Sequence, residues 1–282
     1  MAFEFLRFTD EPTFVGHIVW DQGLAQHFLD YWQRLSGPDV TRGPLVDANL
    51  KVEPTPAPKS QPPVDRMLTL FCPRDAPKTL QTLHWYADVM GSAQHILCMT
   101  FAFNLDKVFS DVLERAGTTL QYAVFDKNLK QDVEDQIDQV GNTVIAAGAK
   151  LAEGDMENFL GETLTGFNKN QYIHDKFMLV DPLGIDPVVV TGTANFSGPS
   201  QSANDENMLV IRRSTRVADI YFGEFMRIFD HLYSRYIVGK MKKAGTSNPD
   251  AGFLKEDPKD WVPQNFTKNG RKDLRRRYFM GE

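Results

Sequence analysis

The residues best suited to chemistry lie between positions 171 and 211, where polar side chains interrupt apolar runs. His174 and Lys176 are two residues apart just ahead of an apolar run, so in a strand both side chains point to one face. Asn195 follows a second apolar run and Glu206 precedes a third. Strands that pair as neighbours would gather these side chains at one edge of a sheet.

This combination of side chains suits a phosphate group. Lysine supplies positive charge to phosphate oxygens, while Asn195 and Ser197 can donate hydrogen bonds to the same oxygens. A neutral imidazole such as that of His174 can attack phosphorus, and Glu206 on the other ring nitrogen would fix its tautomer and orientation. The pattern therefore predicts an anion site that contains a nucleophilic histidine.

The same stretch resembles the phospholipase D superfamily. The HxKxxxxD motif of that superfamily is present as His174, Lys176 and Asp181. The companion GSxNxS-like element and the downstream acidic position are matched, in the family's order, by Gly192, Thr193, Asn195, Ser197 and Glu206. Threonine stands where serine is commoner in the family. Three elements in the right order make the resemblance specific.

The resemblance implies cleavage of a phosphodiester through a covalent phosphohistidine, with neither a metal nor a cofactor. His174 would be either the nucleophile or the acid that protonates the leaving alkoxide. Lys176 and Asn195 would neutralise charge on the phosphate oxygens. Ser197 would assist through its hydroxyl, and Glu206 would hold His174. The remaining motif residue, the aspartate at 181, is expected to bond loop backbone as a scaffold residue.

Residues 66–170 alternate strand-length apolar runs with amphipathic stretches of helical period, which predicts an α/β fold. The resemblance specifies a phospholipase D-like mixed sheet flanked by helices on both faces. Residues 95–103 are almost wholly apolar, as in a strand that is covered on both sides. Phe101 and Phe103 end this run and are candidates to wall the substrate pocket, although such aromatics more often belong to the core.

The N-terminal residues 14–35 predict a short strand and an aromatic-rich helix, a pattern that recurs at 208–233. We interpret this as a weak internal repeat, since many superfamily members carry two motif copies on one chain. Residues 1–36 would then be the remnant of a first half, ahead of a complete second half. The alternative is coincidence, because strand–helix pairs are common in α/β proteins.

The composition also predicts the remaining boundaries. Residues 37–65 contain seven prolines and are expected to form an extended linker. A catalytic domain would follow at 66–240, and a polar, basic tail at 241–282. The basic cluster of the tail, with its neighbouring Tyr278 and Phe279, would either contact anionic headgroups or nucleic acid, or pack on the acidic body of the chain.

A second HxK motif is missing from the chain, because none of the other five histidines has a lysine two residues later. One imidazole cannot serve both faces of an in-line displacement at once. A complete site therefore requires a second copy of the motif. A two-fold homodimer would supply it, as would an N-terminal half that precedes this sequence.

The 282 residues carry a net charge of −6 and are 42% hydrophobic, as in a soluble globular protein. The negative charge does not favour a large nucleic-acid footprint, so phospholipid is the favoured substrate. An endonuclease homodimer and an inactive split half that serves as a binding partner are the alternatives. The sequence shows no transmembrane run or signal peptide, which makes the cytoplasm the default expectation. Cys72 and Cys98 are predicted to be buried thiols.

Overall fold

The computed structural model describes residues 2–4, 16–103, 105–148, 173–243 and 256–281. The chain begins with β1 (Ala2–Glu4), β2 (Gly16–Ile18), α1 (Gln22–Leu35) and α2 (Arg42–Val52). Strands and helices then alternate as β3 (Leu68–Phe71), α3 (Gln81–Met90), β4 (Ile96–Phe101), α4 (Lys107–Leu113), β5 (Leu120–Phe125), α5 (Gln131–Val140) and β6 (Thr143–Ala147). The last described elements are β7 (Phe177–Val180), β8 (Val188–Gly192), α6 (Gly198–Ser202), β9 (Asn207–Arg212), α7 (Thr215–Lys243), α8 (Pro258–Asn265) and α9 (Arg271–Met280).

Seven strands form one mixed sheet in the order β3-β9-β8-β7-β4-β5-β6. The strands β4, β5 and β6 run parallel to one another. The remaining four neighbouring pairs of the sheet are all antiparallel. The strand interiors are buried on both faces, as the near-continuous apolar runs predict. The sequence-based prediction of an α/β fold with a mixed sheet is confirmed.

Helices cover both faces of this sheet. On one face, Trp85 of α3 and Phe109 of α4 are almost fully buried in the core. On the other face, Tyr221 and Phe225 of the long helix α7 are equally buried. Burying a phenylalanine of this kind stabilises the fold by about 1.5–3 kcal/mol. Both cysteines are free and buried, as predicted.

The N-terminal segment has the predicted strand and helix, although its residues 14 and 15 lie outside the described part. The Asp21 side chain caps α1 by accepting a hydrogen bond from Leu24 N–H at 2.9 Å. Tyr31 stacks on Phe71 of β3 at a centroid distance of 4.4 Å, and Phe28 meets the same ring edge-on. The helix therefore packs on an edge strand of the sheet. That it is the remnant of a first half stays a prediction.

The prediction that residues 37–65 are extended throughout is wrong, because α2 lies within them. Pro44 falls in the first turn of this helix, where its missing N–H removes no intrahelical hydrogen bond. The buried Asn49 anchors the helix by donating a hydrogen bond to Pro73 O at 3.0 Å. Pro38 precedes the helix, and the other five prolines follow it, where residues 54–65 contain neither helix nor strand. The predicted domain boundaries themselves stay predictions.

The C-terminal segment 256–281 packs on the body of the protein. Phe279 stacks on Phe222 of α7 at 5.7 Å between ring centroids. The Tyr278 hydroxyl accepts a hydrogen bond from Leu183 N–H at 3.1 Å. These contacts favour the packed alternative for this part of the tail. No helix within the described ranges is both long enough and apolar enough to cross a membrane.

Candidate active site

His174 and Lys176 lie where β7 begins, beside the end of β8. Gly192 N–H, at the end of β8, donates a hydrogen bond to Lys176 O at 3.4 Å. The Lys176 side chain is drawn inward, so that the residue is only 5% exposed. Its ammonium donates a hydrogen bond to His174 O at 2.5 Å. The two-residue spacing therefore folds the lysine back beside the histidine.

The surroundings lower the pKa of both of these groups. Burial lowers the pKa of Lys176 to about 8, against the opposing attraction of the carboxylates of Asp175, Glu206 and Asp126. Burial and then the neighbouring Lys176 charge lower the pKa of His174 below its ordinary 6.5. At pH 7 the imidazole is therefore neutral while most of the lysine is still charged.

The two candidate pocket aromatics have different positions. Phe103 is 57% exposed, and its ring centroid lies 6.4 Å from that of His174 and 6.0 Å from Lys176 Nζ. Phe101 is buried and stacks on Phe125 at 4.9 Å, so the prediction that it walls the pocket is wrong. The reason is that Phe101 is still inside β4 and under the helices, whereas Phe103 lies beyond the strand end.

Asn195 and Ser197 lie in the turn between β8 and α6. Asn195 N–H donates a hydrogen bond to Ser200 Oγ at 3.2 Å, and Asn195 O accepts one from Ser197 N–H at 2.7 Å. Among the described residues, the buried Asn195 Oδ1 has no hydrogen-bond partner. Ser197 is the N-cap residue of α6, but its hydroxyl makes no capping hydrogen bond. The Asn195 amide oxygen and the Ser197 hydroxyl therefore make no hydrogen bond that holds this turn together.

Glu206 does not hold His174, contrary to the sequence-based expectation. Its carboxylate accepts hydrogen bonds from Ser200 Oγ at 3.5 Å and from Asn204 Nδ2 at 3.2 Å. The segment between Asn195 and Glu206 contains the short helix α6, which brings Ser200 and Asn204 within hydrogen-bonding distance of the Glu206 carboxylate. Sequence reasoning missed Ser200, because a serine inside a short helix carries no signal of its own.

At this end of the sheet, the backbones of β8 and β9 approach each other closely at Gly192. A Cβ atom at Gly192 would lie 2.2 Å from Asn207 O, so only glycine fits there. The next residue, Thr193, donates its N–H to Asn207 O at 2.9 Å and accepts Asn207 N–H on its hydroxyl at 3.0 Å. The threonine at the position where serine is commoner therefore joins β8 to β9.

Asp181 lies at the far end of β7 and not in the site. Its carboxylate accepts three backbone N–H groups, from Gln94 at 2.9 Å, His95 at 2.8 Å and Ile96 at 3.0 Å. The motif therefore extends from one end of the strand to the other. Its aspartate ties the end of β7 to the start of β4, which matches the expected scaffold role.

We expect Asp181→Ala to lower the free energy of unfolding by about 2–3 kcal/mol, because three backbone donors lose an anionic acceptor. Urea denaturation followed by circular dichroism measures this loss. Asp181→Asn keeps one carbonyl acceptor and tolerates the positive φ of 46°, so its loss should be smaller. Unchanged stability together with lost catalysis in Asp181→Ala would instead indicate a part in the chemistry.

Within the described ranges, no group of three or more His, Cys, Asp or Glu side chains is arranged to hold a metal ion. The groups at the start of β7 and in the turn after β8 are an imidazole, an ammonium, an amide and a hydroxyl. These can bind an anion, attack it and donate protons or hydrogen bonds to it.

The comparisons with known proteins show which family the chain belongs to. A family profile described as the cardiolipin synthase, PLD-like domain matches residues 92–232, half of the chain. The chain therefore belongs to the phospholipase D superfamily, whose members are phosphodiesterases, as the motif predicted. The matched range contains every motif residue from His174 to Glu206. No curated protein matches the chain in sequence.

Solved structures include several similar chains. Nuc from Salmonella typhimurium, a phospholipase D family member, is 16% identical over 59% of this chain and 95% of its own, with a TM-score of 0.41. NucT from Helicobacter pylori is 16% identical over 59% and 96%, with a TM-score of 0.42. Phosphatidylserine synthase from Haemophilus influenzae is 11% identical over 67% and 47%, with a TM-score of 0.37.

Proposed function

We propose that this protein cleaves phospholipid phosphodiester bonds through a covalent phosphohistidine, in an active site that a second motif completes in trans. The observation that carries the proposal is the buried Lys176 ammonium, which donates a hydrogen bond to the main-chain O of His174 and whose charge helps to lower the pKa of the His174 imidazole. Burial removes water that would otherwise weaken the attraction between the ammonium and a phosphate oxygen.

In the proposed first step, a ring nitrogen of His174 attacks phosphorus and the bond to the leaving alkoxide breaks. The alkoxide takes its proton from the second imidazole, which comes from the other motif copy. Lys176 and the amide of Asn195 stabilise the charge that develops on the phosphate oxygens. In the second step the deprotonated second imidazole activates water, which hydrolyses the P–N bond and restores His174.

The surroundings of the site favour lipid over nucleic acid. Phe103 places an exposed apolar ring next to the reacting imidazole. In the basic C-terminal helix α9, Arg276 and Arg277 lie 3.0 and 3.3 Å from the single carboxylate of Asp273, which offsets one of their two charges. The endonuclease homodimer is the second candidate. What favours it is the set of exposed cations on α9, because a phosphate backbone binds several cations: Arg271, Lys272 and Arg275.

The test is an assay of separated monomer and dimer with bis-p-nitrophenyl phosphate, phosphatidylglycerol vesicles and duplex DNA, each with excess chelator. We expect the dimer to hydrolyse the first two substrates and the monomer to be inactive. Acid-free quenching and peptide mapping should find the phosphoryl adduct on His174. Activity in a pure monomer would contradict completion in trans. Hydrolysis of DNA without hydrolysis of lipid would favour the endonuclease.

A further inference from the structure

A buried carboxylate lies at the sheet edge that carries the candidate nucleophile. Asp126 directly follows β5 and is only 5% exposed. Because β5 runs parallel to β4, and β7 runs antiparallel to it, the ends of β4 and β5 lie at the same edge of the sheet as the start of β7. Asp126 N–H also donates a hydrogen bond to Phe101 O, at the end of β4, at 3.0 Å. The backbone of Asp126 is therefore fixed at the edge where His174 lies.

The Asp126 side chain holds the main chain next to His174. Its Oδ1 accepts a hydrogen bond from Ile173 N–H at 3.0 Å, one residue before the imidazole. One residue after the imidazole, Asp175 O accepts a hydrogen bond from Thr100 Oγ1 at 2.9 Å. The backbone that carries the histidine is therefore held on both sides, by Asp126 after β5 and by Thr100 of β4.

The Asp126 carboxylate also acts on the charges of the site. Burial lowers the pKa of the His174 imidazole most, the Lys176 ammonium lowers it further, and the Asp126 carboxylate opposes both. Burial is also the main cause of the lowered pKa of Lys176, and Asp126 opposes it together with Asp175 and Glu206. Asp126 therefore favours the positively charged form of both the nucleophile and the neighbouring cation.

We propose that Asp126, and not Glu206, is the positioning residue of the His174 nucleophile. The inference rests on the proposed function, in which a ring nitrogen of His174 gives its lone pair to phosphorus while the bond to the leaving alkoxide breaks. The phosphorylated ring keeps the proton on its other nitrogen and so gains one positive charge. The fixed negative charge of Asp126 stabilises that positive charge, and its hydrogen bond to Ile173 N–H holds the backbone from which the ring projects. The Glu206 carboxylate instead bonds to Ser200 in the turn after β8.

The first test is Asp126→Asn, whose amide oxygen still accepts the Ile173 N–H although the charge is lost. With bis-p-nitrophenyl phosphate we expect kcat to fall about 10–100-fold with KM little changed, less than for the loss of a group that contacts the phosphate. The pH–rate profile should also move as a whole to lower pH, because the imidazole and the ammonium then lose their protons at lower pH. A purely structural role would not move the profile.

Titration of the His174 ring protons by nuclear magnetic resonance separates this inference from the proposed function. The His174 signal is the one that disappears in His174→Asn. The pKa of His174 should be lower in Asp126→Asn than in the wild type. It should be unchanged in Glu206→Gln and in the control Asp132→Asn, which removes an exposed carboxylate of α5. A lowered pKa in Asp126→Asn, together with a wild type that cleaves no phosphodiester, would refute the proposed function alone.

Circular dichroism and urea denaturation check that each variant is folded. Asp126→Ser, whose smaller neutral side chain can also accept the Ile173 N–H, gives the same reading if the asparagine variant does not fold. An unchanged pKa of His174 in the folded Asp126 variant, or a lowered one in Glu206→Gln, would overturn the inference.

Discussion

Replacing His174 with asparagine is expected to abolish phosphodiester cleavage, with a fall in kcat on the order of 10⁵-fold. Removal of the nucleophile eliminates the covalent route, and the remaining cation and amide can only bind and polarise the substrate. Stopped assays with bis-p-nitrophenyl phosphate at long incubation times measure the residual rate. The substitution should leave the far-ultraviolet circular dichroism spectrum unchanged, because His174 lies just before β7 and is only partly buried.

The control for His174→Asn is His27→Asn, which changes an exposed histidine of α1 and should leave the rate unaltered. A second measurement mixes an excess of His174→Asn with the wild type and follows the activity of the mixture. If two chains share the site, a mixed dimer holds a single motif histidine, so activity should fall further than simple dilution predicts. Full activity in His174→Asn would refute the phosphohistidine mechanism.

Lys176→Met is expected to lower kcat/KM by about 10²–10³-fold, because the transition state loses its buried positive charge. The same group sets the pH dependence. Its pKa of about 8 means that the wild type loses activity as pH rises through that value and Lys176 gives up its proton. At the acidic side, the pKa of His174 is lowered below 6.5, so activity should persist until the pH falls below this value and the nucleophile protonates.

Two comparisons isolate the role of this lysine. Lys176→Arg keeps a cation that does not deprotonate in this range, so the fall in activity above pH 8 should disappear even if the rate is reduced. Lys127→Met changes an exposed lysine after β5 and should leave both rate and pH profile as in the wild type. An alkaline fall that persists unchanged in Lys176→Arg would assign that ionisation to another group.

The link between Glu206 and Ser200 changes the interpretation of the acidic position. In a single chain the carboxylate braces the turn that carries Asn195, since Ser200 bonds to both the Asn195 N–H and Glu206. The helix α1 supports the same residue from behind, because the Tyr31 hydroxyl lies 3.3 Å from Glu206 O. The N-terminal segment therefore packs against the turn of the candidate site.

The sequence by itself determined the α/β class and which polar side chains lie at the strand ends. Both follow from local spacing: alternating apolar runs specify the strands, and a two-residue interval puts His174 and Lys176 side by side. The order of the three motif elements was enough to predict the superfamily. These features depend on neighbours in the chain, so a pattern of residues records them.

Only the tertiary structure decided which of these candidates meet in space. Phe101 and Phe103 have the same spacing as the histidine and the lysine, yet the helices that cover β4 bury one and leave the other in the site. Glu206 finds Ser200 instead of His174, and Asp181 lies at the far end of its strand. A cavity under α1 is lined by residues that lie more than 160 positions apart in the chain. Such contacts depend on how distant elements pack, which no local pattern encodes.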